Sequence, residues 1–315
     1  MRRIPKIAYI SIAALLLAGC SPTSSNEVTL VTHDSAVISE SQIADFEASS
    51  GFKLSVVKAG DTGALTNKLI LTKGDPIGDA VYGIDNTFIG KAEDNGILVS
   101  DSVSEIDFAD ICFNYDVNWF ASRGITPPTK WTELTLPKYK DLTVLQNPNT
   151  SSTGLGFLAA TVAKFGEANW PTFWKSLKAN GVKVTAGWED AYYTEFSGSA
   201  GKGSYPIVLS YSSSPADEAN TKAILTDCFR QTEYAAVLSG AKNPRGAGAL
   251  IEWLLKVEFQ NSMPTSMYVY PVNEAAVIPD SWATKAPAAT SVLGSNLKIS
   301  ERREAWLTAW SELFG

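Results

Sequence analysis

The chain has 315 residues, 45% hydrophobic and 19% charged, a balance that fits a globular protein with room for two lobes and excludes a disordered or fibrous chain. Its formal net charge of −7 argues against nucleic acid, which is bound through basic patches, and suits a cationic ligand. No CxxC pair, zincin helix or GxSxG elbow is present, so no motif favours an enzyme, and a hydrolase would need a nucleophile with a distant base.

The N-terminus carries an address. Arg2, Arg3 and Lys6 precede an apolar run over 7–18 that is shorter than the ~20 residues needed to cross a bilayer. It ends in Leu17-Ala18-Gly19-Cys20, which resembles a bacterial lipobox. That resemblance implies a signal peptide over 1–19, cleavage before Cys20 and lipidation of its thiol. Residues 20–27 then form a polar tether, too poor in apolar residues to fold. Loss of the three basic residues takes the net charge to about −10.

From Val28 a βαβα rhythm predicts a parallel sheet. Strands over 28–32, 53–58 and 79–84 alternate with helical patterns over 40–49 and 64–71, the first stopped by Gly51. Each strand runs into an acidic residue: Asp34, Asp61 in a Gly-Asp-Thr-Gly loop, and Asp85. Parallel strands would bring these ends to one edge, either as helix caps and turn formers or as a convergent acidic site. His33 is the only histidine, and adjacent residues of a strand point to opposite faces, so His33, Asp34 and Ser35 form no local triad.

A crossover near 111–119 leads into a second region. There a strand over 144–148 runs into Asn149-Thr-Ser-Ser-Thr-Gly and a helix over 154–165, so that Ser151 and Ser152 stand at a helix start suited to an anion or to plain capping. Trp170 and Trp174, four apart, read as core. Trp188 follows a glycine at the end of a strand over 182–185, before a helical stretch over 191–196, and is either buried packing or a stacking wall. The stretch YPIVLSYSSSP over 205–215 is an apolar strand emptying into Tyr211, Ser212, Ser213 and Ser214. It reads as a solvated turn or as a ligand-facing tip with one ring and several donors. After Cys228, a return strand over 233–238, a helix over 245–255 and a helix over 301–314 complete the chain. Trp306 and Trp310, four apart on that last helix, read as core.

Taken together, VTHDS, KAGDTGALTNKLILTKG, DAVYGIDNTF, NYD, NPNTSSTGLGF, GWEDAYY, LSYSSSP, FQNSMPTSMYVYPV and REAWLTAW resemble the periplasmic thiamine-binding proteins of ABC importers, in one order over about 28–310. The resemblance implies an α/β, two-lobed periplasmic-binding-protein fold of type II, each lobe a mixed sheet flanked by helices, with the ligand in the interlobe cleft. The lobes would be 28–112 with 233–315, and 113–232. It implies a monomeric, lipid-anchored, exported receptor, with no enzymatic activity and no cofactor, that passes thiamine or a thiamine phosphate to an ABC permease. Carried over by motif, the ligand contacts are Asp61, Thr62, Ser151, Ser152, Trp188, Tyr211, Ser212, Ser213, Ser214 and Tyr268, with Asp85 and Tyr192 as looser candidates. The chemistry agrees: aromatic faces stack an aminopyrimidine and a cationic thiazolium, and carboxylates accept from the exocyclic amine. His33, Ala36, Asp107-Phe-Ala and Asp217 depart from the family pattern. Alternatives are an anion or metal-chelate receptor of the same fold, using the serine tips, and a secreted hydrolase with a remote base.

With Cys20 lipidated, Cys112 and Cys228 remain as an even pair in an oxidising compartment. A two-lobe topology brings both to the crossovers, which predicts a disulfide; two buried free thiols are the other outcome.

Overall fold

The computed structural model describes residues 26–199 and 203–315; the leader, Cys20 and most of the tether lie outside the described residues. The first half follows the expected rhythm. Strands β1 (Glu27–Thr32), β2 (Lys53–Lys58) and β3 (Ala80–Asp85) alternate with helices α1 (Glu40–Ser50) and α2 (Thr62–Leu71), and β1 lies parallel between the other two. α1 opens on a Ser39/Gln42 capping box and closes at Gly51, whose φ of 76° suits a residue without a side chain. A short helix, α3 (Ile89–Asp94), leads to the long strand β4 (Ser104–Asp116).

The second half begins with α4 (Val117–Arg123) and contains β5 (Thr143–Gln146), α5 (Ser152–Phe165), α6 (Trp170–Ala179), β6 (Lys183–Thr185), β7 (Ile207–Tyr211) and β8 (Thr221–Ala223). The chain returns through β9 (Phe229–Val237), then α7 (Pro244–Leu254), a two-residue strand β10 (Tyr270–Pro271) and the C-terminal helix Ile299–Phe314. The strands form one curled mixed sheet in the order β2-β1-β3-β9-β4-β7-β5-β6, with β8 and β10 also on β4.

β4 is the common member of the two halves. Its residues 104–111 pair with β9 and its residues 111–115 with β7, so Ile111 faces Phe229 on one side and Tyr211 on the other. The strand is thus seven residues longer at its start than the apolar run from Ile111 suggests, because Ser104 to Asp110 alternate acids with apolar residues. Beside this hand-over Cys112 and Cys228 form a disulfide that closes a separation of 116 residues, with Cα atoms 4.9 Å apart.

One core, built from Val28, Leu30, Phe46, Tyr82, Leu250 and Trp253, fills the space between the first half's sheet and helices α1 and α7. A larger core runs from Val81 and Ile84 through Phe113 and Phe157 to Trp174, Trp306 and Trp310, without a break between the halves. Trp170, Trp174, Trp306 and Trp310 are all at least 97% buried. The C-terminal helix, expected to belong to the first lobe, packs on both. Trp310 meets Trp174 edge to face, whereas Arg303 lies over Phe88.

Candidate functional site

The parallel ends of β1 and β2 and the start of α2 form one wall of a cavity of about 150 Å3 between the halves. His33, Asp34, Asp61, Thr62, Tyr82, Asp107 and Glu233 line that wall. Ser152, Trp188, Tyr192, Tyr193, Tyr211 and Ser214 line the other, with Asp217 and Tyr268 also on the lining.

Asp61 shows why the strand-loop-helix motif matters. It caps α2, accepting from Thr62 N–H at 2.7 Å, and its second oxygen accepts from Trp188 N–H at 2.8 Å, across the cavity. Burial raises its pKa, with the Trp188 N–H and the His33 charge opposing the rise. Gly63 next to it donates to Thr150 C=O at 3.1 Å, and a side chain at that glycine would come within 2.7 Å of the Thr150 backbone. Tyr268, held at φ 57°, donates to Asp217 at 2.7 Å. The two halves therefore touch around the cavity.

The expected acidic edge is partly realised. Asp34 and Asp61 reach the cavity. Asp85 does not: it is fully buried, with Oδ1 accepting from Thr87 N–H and hydroxyl, while Oδ2 has no partner. Burial moves its pKa up to about 7, with the Thr87 hydroxyl opposing. Two acids that strand patterning missed line the cavity instead. Glu233 sits on β9, which begins four residues earlier than the expected strand, and Asp107 sits on the unexpected part of β4. Residues 229, 231 and 233 share one buried face of β9, and two polar residues on such a face were the available signal.

His33 Nε2 lies 3.2 Å from Glu233 Oε2. Burial alone would lower the histidine's pKa, but Glu233, by charge and hydrogen bond, with Asp61 and Asp107 behind it, raises it to about 9. Asp107 accepts from the Tyr82 hydroxyl, and burial together with the Glu233 charge pushes its pKa up.

On the opposite wall, Trp188 leaves the packing alternative in part. Its ring stacks on Tyr192 at 4.8 Å and 14°, a pairing set by the wide π turn Asp190–Glu195, and its Nε1–H donates to Ser210 Oγ at 2.9 Å. Trp188 and Tyr211 lie 6.1 Å apart at 44°. A flat ring held between two parallel faces needs about 7 Å, twice the contact distance, so this pair does not form a sandwich in this conformation. Tyr211 is the last residue of β7, not part of the tip.

The serines divide. Ser152 and Ser214 line the cavity, whereas Ser151, Ser212 and Ser213 do not. Ser151 bonds Thr153 at 2.9 Å, and Ser212 N–H is spent on Asp110 C=O at 2.8 Å. The hydroxyls of Ser212 and Ser213 are buried without partners. The tip turns inward behind β7, which removes two of the donors expected there. Among the described residues no group of three or more His, Cys, Asp or Glu is placed to hold a metal ion, and no helix is long and apolar enough to cross a membrane.

A bacterial extracellular solute-binding protein family model matches residues 84–289. The thiamine-binding periplasmic protein of Salmonella typhimurium is 29% identical over 285 residues, covering 84% of this chain and 85% of that one. That of Brucella abortus is 25% identical with 98% of each chain covered. A solved periplasmic thiamin-binding protein superposes with a TM-score of 0.79 at 26% identity, over 92% of this chain and 96% of that one.

Proposed function

Because the chain belongs to the bacterial extracellular solute-binding proteins, we propose that it is a receptor for thiamine or its phosphates that delivers them to an ABC permease. The observation that carries this reading is the cavity itself, in which several carboxylates face a wall of four aromatic rings. Thiamine matches both: its thiazolium is permanently cationic, and a cation beside aromatic faces and buried carboxylates gains where water is excluded. The receptor binds and releases its ligand unchanged and is not an enzyme. The lobes divide at the crossovers, 28–112 with 233–315 against 113–232, and the protein works as an exported monomer anchored by a lipid on Cys20.

In this reading Asp61, Thr62, Ser152, Trp188, Tyr192, Tyr211, Ser214 and Tyr268 surround the ligand. Ser151, Ser212 and Ser213 support the wall from behind, and Asp85 contributes charge from a distance. Titration calorimetry with thiamine, its monophosphate and its diphosphate tests the proposal. Saturable one-to-one binding of any of the three supports it; absence of heat with all three overturns it.

A further inference from the structure

The polar chain beneath Tyr211 has a direction. Glu233 Oε2 faces His33 Nε2 at 3.2 Å, Glu233 Oε1 accepts from Gln231 Nε2 at 2.8 Å, and Gln231 Oε1 lies 3.1 Å from the Tyr211 hydroxyl. A carboxylate has only acceptors, so it forces Gln231 to turn its amide N–H toward Glu233 and its carbonyl toward Tyr211. The carbonyl in turn takes the Tyr211 proton. His33, whichever nitrogen it protonates otherwise, serves this chain by donating from Nε2. The Tyr211 oxygen is left facing the cavity with lone pairs and no proton to give.

A second chain runs into the end of β7. Trp188 Nε1–H donates to Ser210 Oγ at 2.9 Å, Ser210 Oγ and Ser214 Oγ share a hydrogen bond at 2.8 Å, and Ser214 Oγ accepts from Tyr211 N–H at 3.2 Å. It ties the Trp188 ring and the Tyr211 backbone together while Gln231 takes the phenolic proton.

We propose that Glu233 and Gln231 are positioning residues that fix the Tyr211 hydroxyl as an acceptor, so that the cavity selects a ring edge carrying an amine and rejects the edge with an oxo group in the amine's place. This deepens the thiamine reading and rests on it: the 4-aminopyrimidine of thiamine has the selected edge, and oxythiamine, in which oxygen replaces the amine, has the rejected one. A mismatched edge places two acceptors against each other and leaves both unpaired in a buried site, which corresponds to about tenfold or more in affinity.

The test is the ratio of thiamine to oxythiamine dissociation constants in three proteins of verified thermal stability. The wild type should prefer thiamine by about tenfold or more. In Glu233→Gln the new amide accepts from His33 and donates to Gln231, which flips Gln231 and lets Tyr211 donate into the cavity; the preference should collapse to within about threefold or reverse. The exchange Gln231→Glu with Glu233→Gln puts a carboxylate back against Tyr211 and should restore the preference, an outcome that mere damage to the wall would not give. A wild-type ratio retained in Glu233→Gln, a wild type that binds both ligands alike, or failure of the exchanged pair to restore the ratio overturns the inference while leaving thiamine binding in place. A wild type that binds neither ligand removes the thiamine reading, and this inference with it.

Discussion

On the first-half wall of the cavity, His33, Asp34, Asp61, Asp107 and Glu233 are tied to one another, to Tyr82 or to backbone, and three of these groups have shifted pKa values. On the opposite wall Trp188, Tyr192 and Tyr193 pack face to face or edge to face, Tyr211 lies tilted to Trp188, and burial raises the pKa of the three tyrosine hydroxyls. The difference separates two tasks. Charge held by hydrogen bonds belongs to the folded structure and reports on it through pH, whereas ring surface waits for a ligand. Substitutions on the first wall should register chiefly in stability and its pH profile, and those on the second chiefly in affinity.

The joint between the walls should give the largest effect. Replacing Cys112 and Cys228 by alanine removes a link across 116 residues, which in the chain-entropy model costs about 5 kcal/mol. Urea unfolding of the variant measures this; a loss below about 1 kcal/mol would mean that the continuous core alone holds the joint. The pH profile comes next. Asp85, raised from 3.8 to about 7, destabilises the fold progressively as pH rises through that interval, because the unfolded chain releases the proton first. The His33 pair, raised from 6.5 to about 9, stabilises fully below pH 6.5 and is lost as pH rises through 9. Stability should therefore fall by on the order of 3 kcal/mol between pH 4 and pH 7 from Asp85 and again between pH 6.5 and pH 9 from His33. Asp85→Asn should flatten the lower fall and His33→Gln the upper; a flat wild-type profile would erase the contrast between the walls.

Trp188→Ala should then weaken thiamine binding by about 2 kcal/mol with little change in unfolding midpoint. The reverse pattern would return Trp188 to packing. The smallest effect is expected at Asp61→Asn, about 1 kcal/mol in affinity, growing at low ionic strength as an electrostatic contribution should. An effect of Asp61→Asn confined to stability would show that its cap on α2 and its bond to Trp188 are its whole role.

What the sequence made legible was what repeats along it. The βαβα order, the Gly-Asp-Thr-Gly turn that puts Asp61 at a helix start, and the apolar run of β7 are all local patterns with local causes. Glu233 and Gln231 were invisible for the converse reason: their meaning comes from β3 and β4 on either side, and a polar residue in a strand looks the same facing a cavity or facing water. Ser212 and Ser213 erred in the other direction. A serine run advertises donors, but Ser212 N–H went to β4 and the hydroxyls turned inward, a consequence of β7 extending to Tyr211. Asp85 ends β3 and Asp61 follows β2 by three residues, yet Thr87 two residues later captures Asp85.

The unbroken passage of β4 from one half to the other makes the connection a torsion bar. It is hydrogen-bonded to β9 along its first part and to β7 along its second, so parting the walls means winding a paired ribbon, not straightening slack linkers. A wound ribbon returns its work on release. Its rest angle, set by strand twist, would decide what fraction of a ligand's binding energy any closure of the walls consumed.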